Sequence, residues 1–374
     1  MKPPDSLWLS NGALITPAGL RRGALGIRDG RLVEIRRQVP RHANAVNVRG
    51  RYIAPGLIDL HIWGDPKHVA THEARSGTTS FLITIGPEPP ELLVNHLVRL
   101  EGQQEDRGAR CLGIHLEGPF LNPLRAGALA SRWLRPPTSP ELRQLVRHAS
   151  DQLKLVTIAP EIPRGVESIR WFARHRVVVS LGHSDANAAV TKRAIKAGAR
   201  SVTHVFNGMR PLHHRDPGLL GEVLTDDRLM AMVILDGIHV DPVAFQLLLR
   251  CKGPRGIVLV TDSVRHKALP ATRGTGQAGA RPKAGRGAFY TGRGILAGSR
   301  LTMIRAVRNA VVFGKISLLD AVHMASFNPA RLLGLGRDLG SLEVGKRADL
   351  VVFDKQFRVV MTLVDGKIVY QRGQ

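Results

Sequence analysis

The stretch GIVLVTDS, residues 256–263, is an aliphatic run that stops on Asp262, and three further stretches end in the same manner. CLGIHLEGP (111–119) stops on Glu117, VVVSLGHSD (177–185) on His183 and SVTHVFN (201–207) on His204. Short runs of Val, Ile and Leu without polar alternation are the mark of strands buried on both faces. In a parallel barrel the carboxyl ends of such strands are where the chemistry gathers. One Glu and two His suffice to hold a single divalent metal, and an Asp beside them can act as a base toward water. The pattern points to a hydrolase site.

Working outward, the four runs belong to a series of eight: Ile53 to Trp63, Thr78 to Thr84, Cys111 to Gly118, Leu153 to Glu161, Val177 to His183, Ser201 to Asn207, Leu229 to His239 and Gly256 to Ser263. Helix-compatible stretches lie between them, among them Pro90 to Glu101, Glu141 to His148, Ala186 to Gly198 and Pro242 to Lys252. Asp185 is placed to cap the third of these and Gly198 to end it. Strands alternating with helices predict an α/β fold, a (β/α)8 TIM barrel over residues 55–338, closed by helices at Leu301 to Phe313 and Leu318 to Ser326.

The two ends of the chain differ from the middle. Residues 1–54 hold short segments broken by Asn11-Gly12, Asp29-Gly30 and Arg49-Gly50, and residues 339–374 repeat the style around Asp365-Gly366. Such dipeptides between apolar alternations signal hairpins. The expectation is one small β-sandwich domain assembled from both termini, to which residues 272–296, with the apolar Ala288-Phe289-Tyr290, could add a hairpin; their richness in Gly, Arg and Ala fits disorder as well.

Composition narrows the class. A chain of 374 residues with 43% hydrophobic content can bury a large core. It shows neither a signal peptide nor an apolar span of membrane length, and Cys111 and Cys251 fall in predicted core elements as buried thiols rather than a disulfide, so the expected setting is cytoplasmic. The net charge of +24 invites a nucleic-acid reading. Yet Lys and Arg are spread along the whole chain and aromatics make up only 5%, which favours a cationic surface that attracts small anionic substrates over a nucleic-acid face.

The segments HLEGPF, VTIAPE, LGHSDA, THVFNGM, HRDPG, DGIHVD, VTDS and LAGSRLTM occur in this order along the chain. In order and approximate spacing they resemble the N-acetylglucosamine-6-phosphate deacetylases of the amidohydrolase superfamily. The opening IAPGLIDLH and closing GSLEVGKRADLVVFD are similar to superfamily signatures, so the resemblance covers nearly the full chain. It implies one divalent metal per chain, zinc being the usual ion, on Glu117, His183 and His204, with Asp262 as catalytic acid and base. It also implies substrate contacts at Ala128, Asn207, Gly208 and His239 and along Leu296, Ala297 and Gly298. Arg215 matches an arginine that reaches the phosphate from a neighbouring subunit, which implies a homodimer. His115 matches a family position that either supports the ligands or simply packs.

Three departures set this chain apart from the pattern it resembles. Many superfamily members carry His-x-His at the end of the first strand and a second metal there; here the segment is His61-Ile62-Trp63, and Trp cannot ligate a metal. His61 is left as a spectator, a supporting group or a weak extra ligand. Leu129 stands where a polar residue, usually His or Gln, is common, and loss of one donor to a developing oxyanion costs about 3 kcal/mol, roughly a hundredfold in rate. The link from His61 to Gly77-Thr78-Thr79 is short. The expected activity is deacetylation of N-acetylglucosamine-6-phosphate to glucosamine-6-phosphate and acetate. Open alternatives are an amidohydrolase for another N-acyl amino sugar or amide, and a sugar-phosphate-binding protein on a weakened enzyme scaffold.

Overall fold

The computed structural model describes residues 6–100, 108–266, 283–284 and 287–373. Eight parallel strands follow one another in sequence order: Leu57–Gly64, Thr78–Ile85, Arg110–Glu117, Leu153–Ile158, Val178–Leu181, Ala199–Val202, Met230–Ile234 and Ile257–Val260. Their side chains are buried almost throughout, which is why the sequence shows aliphatic runs and no alternation. Past Val260 the chain turns at Thr261 and Asp262, and Ser263 pairs with Ile62, so the sheet curls back toward its first strand. The return is pinned by the buried Asp59, which accepts the main-chain N–H groups of His61 at 3.1 Å and Thr261 at 3.2 Å and the Thr261 hydroxyl at 2.5 Å.

The run from Ile53 to Trp63, expected as a single strand, is divided at Gly56. Tyr52–Pro55 pairs antiparallel with Leu350–Phe353 in a second sheet, while Leu57–Gly64 opens the parallel one. A Cβ on Gly56 would stand 2.0 Å from Thr79 Oγ1, so only glycine lets the chain cross from one sheet to the other here.

Helices occupy the intervals, among them Pro90–Leu100, Ser139–Ala149, Ala188–Ala197, Pro242–Lys252, Met303–Gly314 and Leu318–Ala325. The expected cap at Asp185 is corrected: Asn187 caps Ala188–Ala197 by accepting from Val190 N at 2.9 Å, because Asp185 is taken up by Arg125 and Arg210. Gly198 does end that helix, at φ 123°. Cys251, expected in the core, is exposed, and Cys111 is half-buried; both are free thiols. Among the described residues no helix is long and apolar enough to cross a membrane.

The second sheet has eight strands, five from the N-terminal end and three from the C-terminal end. It is one continuous hydrogen-bonded sheet, where two stacked sheets were expected; a single cluster joins Leu9, Leu25 and Leu32 to Leu350 and Leu363, so the sheet wraps its own core. Asp29-Gly30 and Asp365-Gly366 form hairpin turns, with both residues of each at positive φ. Asn11-Gly12 is instead a bulge inside Leu7–Thr16, and Arg49-Gly50 joins two strands that both pair parallel to it. The hairpin expected to extend this sheet belongs to the other one: Ala288–Tyr290 pairs with Leu296–Ser299, whose Ser299 pairs with Ser263. The rest of that expectation, residues 272–282 and 285–286, lies outside the described residues.

Candidate active site

Glu117 is the last residue of its strand, whereas His183, His204 and Asp262 lie just beyond theirs. The latter three have positive φ, at 49°, 31° and 48°, a sparsely populated conformation for residues with side chains, costing about 1 kcal/mol or more each. Such turns at three strand ends aim the side chains at one point. His204 Nε2 stands 2.9 Å and His183 Nε2 3.2 Å from Glu117 Oε1, and the three residues offer ligand atoms within 4.8 Å of one another.

The donor set fits a cation. His183 Nδ1 lies 2.7 Å from the carbonyl oxygen of Arg125, which can only accept, so Nδ1 carries the proton. In the neutral ring Nε2 is then a bare lone pair facing a carboxylate oxygen. Burial holds the His204 pKa below the ordinary value and so favours the neutral ring there as well. A lone pair set against a carboxylate oxygen favours a positive charge between them, and the second ring nitrogen of His183 is fixed by a carbonyl as metal-binding histidines commonly are.

The opposite side of the cluster has another character. His61 Nε2 lies 3.3 Å from both Glu117 Oε2 and Asp262 Oδ1. Burial works against the charged ring, but the two carboxylates outweigh it and push His61 up to about 9. Burial likewise pushes Glu117 upward, and His61, with His183 and His204 close to the carboxylate, overcomes this and holds Glu117 well below the carboxylate range. Trp63 Nε1 donates to Asp262 Oδ1 at 2.8 Å. His115 lies deeper: it bonds to Thr157 Oγ1 at 2.8 Å, meets the His61 ring edge-on, and is kept well below its ordinary pKa chiefly by burial.

Glu117, His183, His204 and Asp262 share a cavity of about 260 Å³ with Ala128, Asn207, Gly208, His239, Leu296, Ala297 and Gly298. Trp63 and Leu129 line it too; His61, His115 and Arg215 do not. His239 Nδ1 lies 2.7 Å from Asp236 Oδ2, leaving its other nitrogen for a ligand. Arg215 is on an exposed turn, with its guanidinium 2.9 Å from His214 Nε2. A larger hollow, about 440 Å³, lies in the terminal sheet beside Arg49, Arg51 and Arg358, but no histidine and only one carboxylate, Asp354, line it. Sequence reasoning missed Asp236, although DGIHVD contains it, and Asp59, an acid within an apolar strand. It also missed the Trp63–Asp262 bond, which joins residues 199 positions apart and leaves no local signal.

The chain belongs to the amidohydrolase family, whose model matches residues 52–369. It is 34% identical to the N-acetylglucosamine-6-phosphate deacetylase of Bacillus subtilis (strain 168), over 98% of both chains. It is 37% identical to the N-acetylgalactosamine-6-phosphate deacetylase of Escherichia coli O157:H7, over 84% of this chain and 87% of that one. Among solved structures, the N-acetylglucosamine-6-phosphate deacetylase of Pasteurella multocida superposes with a TM-score of 0.86 at 29% identity, covering 98% of this chain and all of that one. A mutant of the Mycobacterium smegmatis enzyme, in complex with N-acetyl-D-glucosamine-6-phosphate, matches equally, at TM-score 0.86 and 30% identity with 98% and 100% covered. These likenesses place the chain in the deacetylase branch that its motifs resemble, among hydrolases of amide bonds.

Proposed function

We propose that this protein removes the acetyl group from N-acetylglucosamine-6-phosphate, giving glucosamine-6-phosphate and acetate. The observation that carries the reading is the meeting of two histidine nitrogens and a carboxylate on one point, with Asp262 beside it in the same cavity. A divalent ion, for which we favour zinc, held by Glu117, His183 and His204 would lower the pKa of water and polarise the amide carbonyl. Asp262 takes the proton of the attacking water and returns it to the nitrogen as the C–N bond breaks. That return matters because an unprotonated amine leaves poorly. His239, oriented by Asp236, and Asn207, Gly208, Ala128 and Leu296 to Gly298 line the remainder of the cavity and bind the sugar.

We read the curled parallel sheet as a (β/α)8 barrel carrying a small β-domain built from both termini, an architecture that goes with this activity. Arg215 is exposed and does not line its own cavity, which suits a homodimer in which it serves the partner's phosphate. Two free thiols fit a reducing compartment, and we take the cytoplasm as the working site.

The test is acetate release by the purified protein from the 6-phosphates of N-acetylglucosamine and N-acetylgalactosamine and from both unphosphorylated sugars. The proposal expects the gluco 6-phosphate to have the highest kcat/KM. Preference for the galacto epimer would move the substrate toward that of the Escherichia coli relative, and equal turnover of phosphorylated and neutral sugars would overturn the assignment.

A further inference from the structure

Trp63 departs from the superfamily pattern, yet it sits in a fitted place. Its side chain is largely buried, at 8% exposure, while its ring borders the cavity. The ring passes over Gly86, where an added Cβ would come within 2.9 Å of Cη2, and Leu129 Cδ2 stands 4.0 Å from the same point. Any larger residue at 86 would displace the indole. The ring is thereby seated so that Nε1–H donates to Asp262 Oδ1 at 2.8 Å, while the main-chain N–H of Asp262 donates to the His61 carbonyl at the same distance. Asp262 is thus tied to the first strand both through its backbone and through its carboxylate.

We propose that Trp63 is a positioning residue for Asp262: its indole N–H holds one carboxylate oxygen and leaves the other as the one that exchanges the proton. This rests on the reading of Asp262 as the acid and base. The indole is a donor only and keeps its proton throughout, so it occupies a lone pair of Oδ1 and makes that oxygen the less basic of the two. The proton taken from water therefore goes to Oδ2, which has no hydrogen-bond partner among the described residues, and leaves from it for the departing amine. His61 Nε2 stands 3.3 Å from the same oxygen, so two groups of the first strand crowd Oδ1 and leave Oδ2 open. On this view Trp63 is not a ligand lost but a replacement that orients the base of a one-metal site.

Two measurements test it. In Trp63→Phe the ring bulk stays and the N–H goes; kcat should fall at least about tenfold, the usual scale for a lost hydrogen bond to a charged group, with KM within about twofold and the metal content unchanged. Independently of activity, the indole N–H resonance of Trp63, identified among the chain's four tryptophans by its loss in Trp63→Phe, should move upfield in Asp262→Ala. An unmoved resonance, or native kcat in Trp63→Phe, would overturn the inference. If Asp262→Asn is inactive while Trp63→Phe is fully active, only the role of Trp63 fails; if Asp262→Asn is itself active, the reading of Asp262 fails and takes this one with it.

Discussion

The two sides of the cavity are built on different terms. On one side Glu117, His183 and His204 converge from three strand ends, and His183 is fixed by a carbonyl so that its lone pair faces inward. On the other, at the mouth of the first strand, stand an indole donor and the apolar Leu129, neither able to hold an ion. The difference teaches that the groups able to hold an ion are gathered at one point, while the opposite wall holds Asp262 by its carboxylate. On the proposed reading, a hydrolase so arranged needs one ion and one well-held base.

The largest effect that could break this division concerns Asp262. Asp262→Asn keeps the shape and removes the base, so kcat and kcat/KM should both fall at least about a hundredfold while the metal stays bound. Steady-state kinetics with metal analysis on the same sample checks it; near-native turnover by the metal-loaded variant would remove Asp262 from the mechanism. A smaller change sharpens the contrast from the apolar wall. Leu129→His returns a donor to the cavity, and if the wall is catalytically passive kcat should rise by up to about tenfold, within the range such donors supply. A lower kcat would show that the apolar wall is itself required, and an unchanged one that the added donor does not serve the reaction.

The last effect expected is on stability, beneath the first-strand wall. Burial lifts the Asp59 pKa from 3.8 to about 7 despite its bonds from Thr261 and His61. Between those values the unfolded chain has released a proton that the folded chain retains. Asp59 therefore lowers stability progressively as pH rises from about 4 to about 7, and the penalty is constant above that. Relative to Asp59→Asn, which does not titrate, the native protein should lose up to about 4 kcal/mol across this window, as read from urea unfolding at a series of pH values. A constant difference between the two proteins would show that Asp59 is ionised throughout.

Much of this was legible in the sequence, for a physical reason. Strands buried on both faces must be aliphatic, so each polar residue closing such a run, Glu117, His183, His204 or Asp262, stands out against it. The terminal sheet was less legible because the same dipeptide serves several turns: Asp29-Gly30 makes a hairpin, while Asn11-Gly12 makes a bulge. Asp185 misled because an N-cap is a local preference, and two arginines distant in sequence outbid it. Trp63 could be read only as a missing ligand, since its partner lies on the far strand.

The central claim, a single metal on Glu117, His183 and His204, is tested most directly by elemental analysis of protein purified without added metal. The account predicts close to one equivalent of divalent ion per chain, and almost none in His183→Ala or His204→Ala. Two fully occupied equivalents in the native protein, or one retained in either variant, would contradict it.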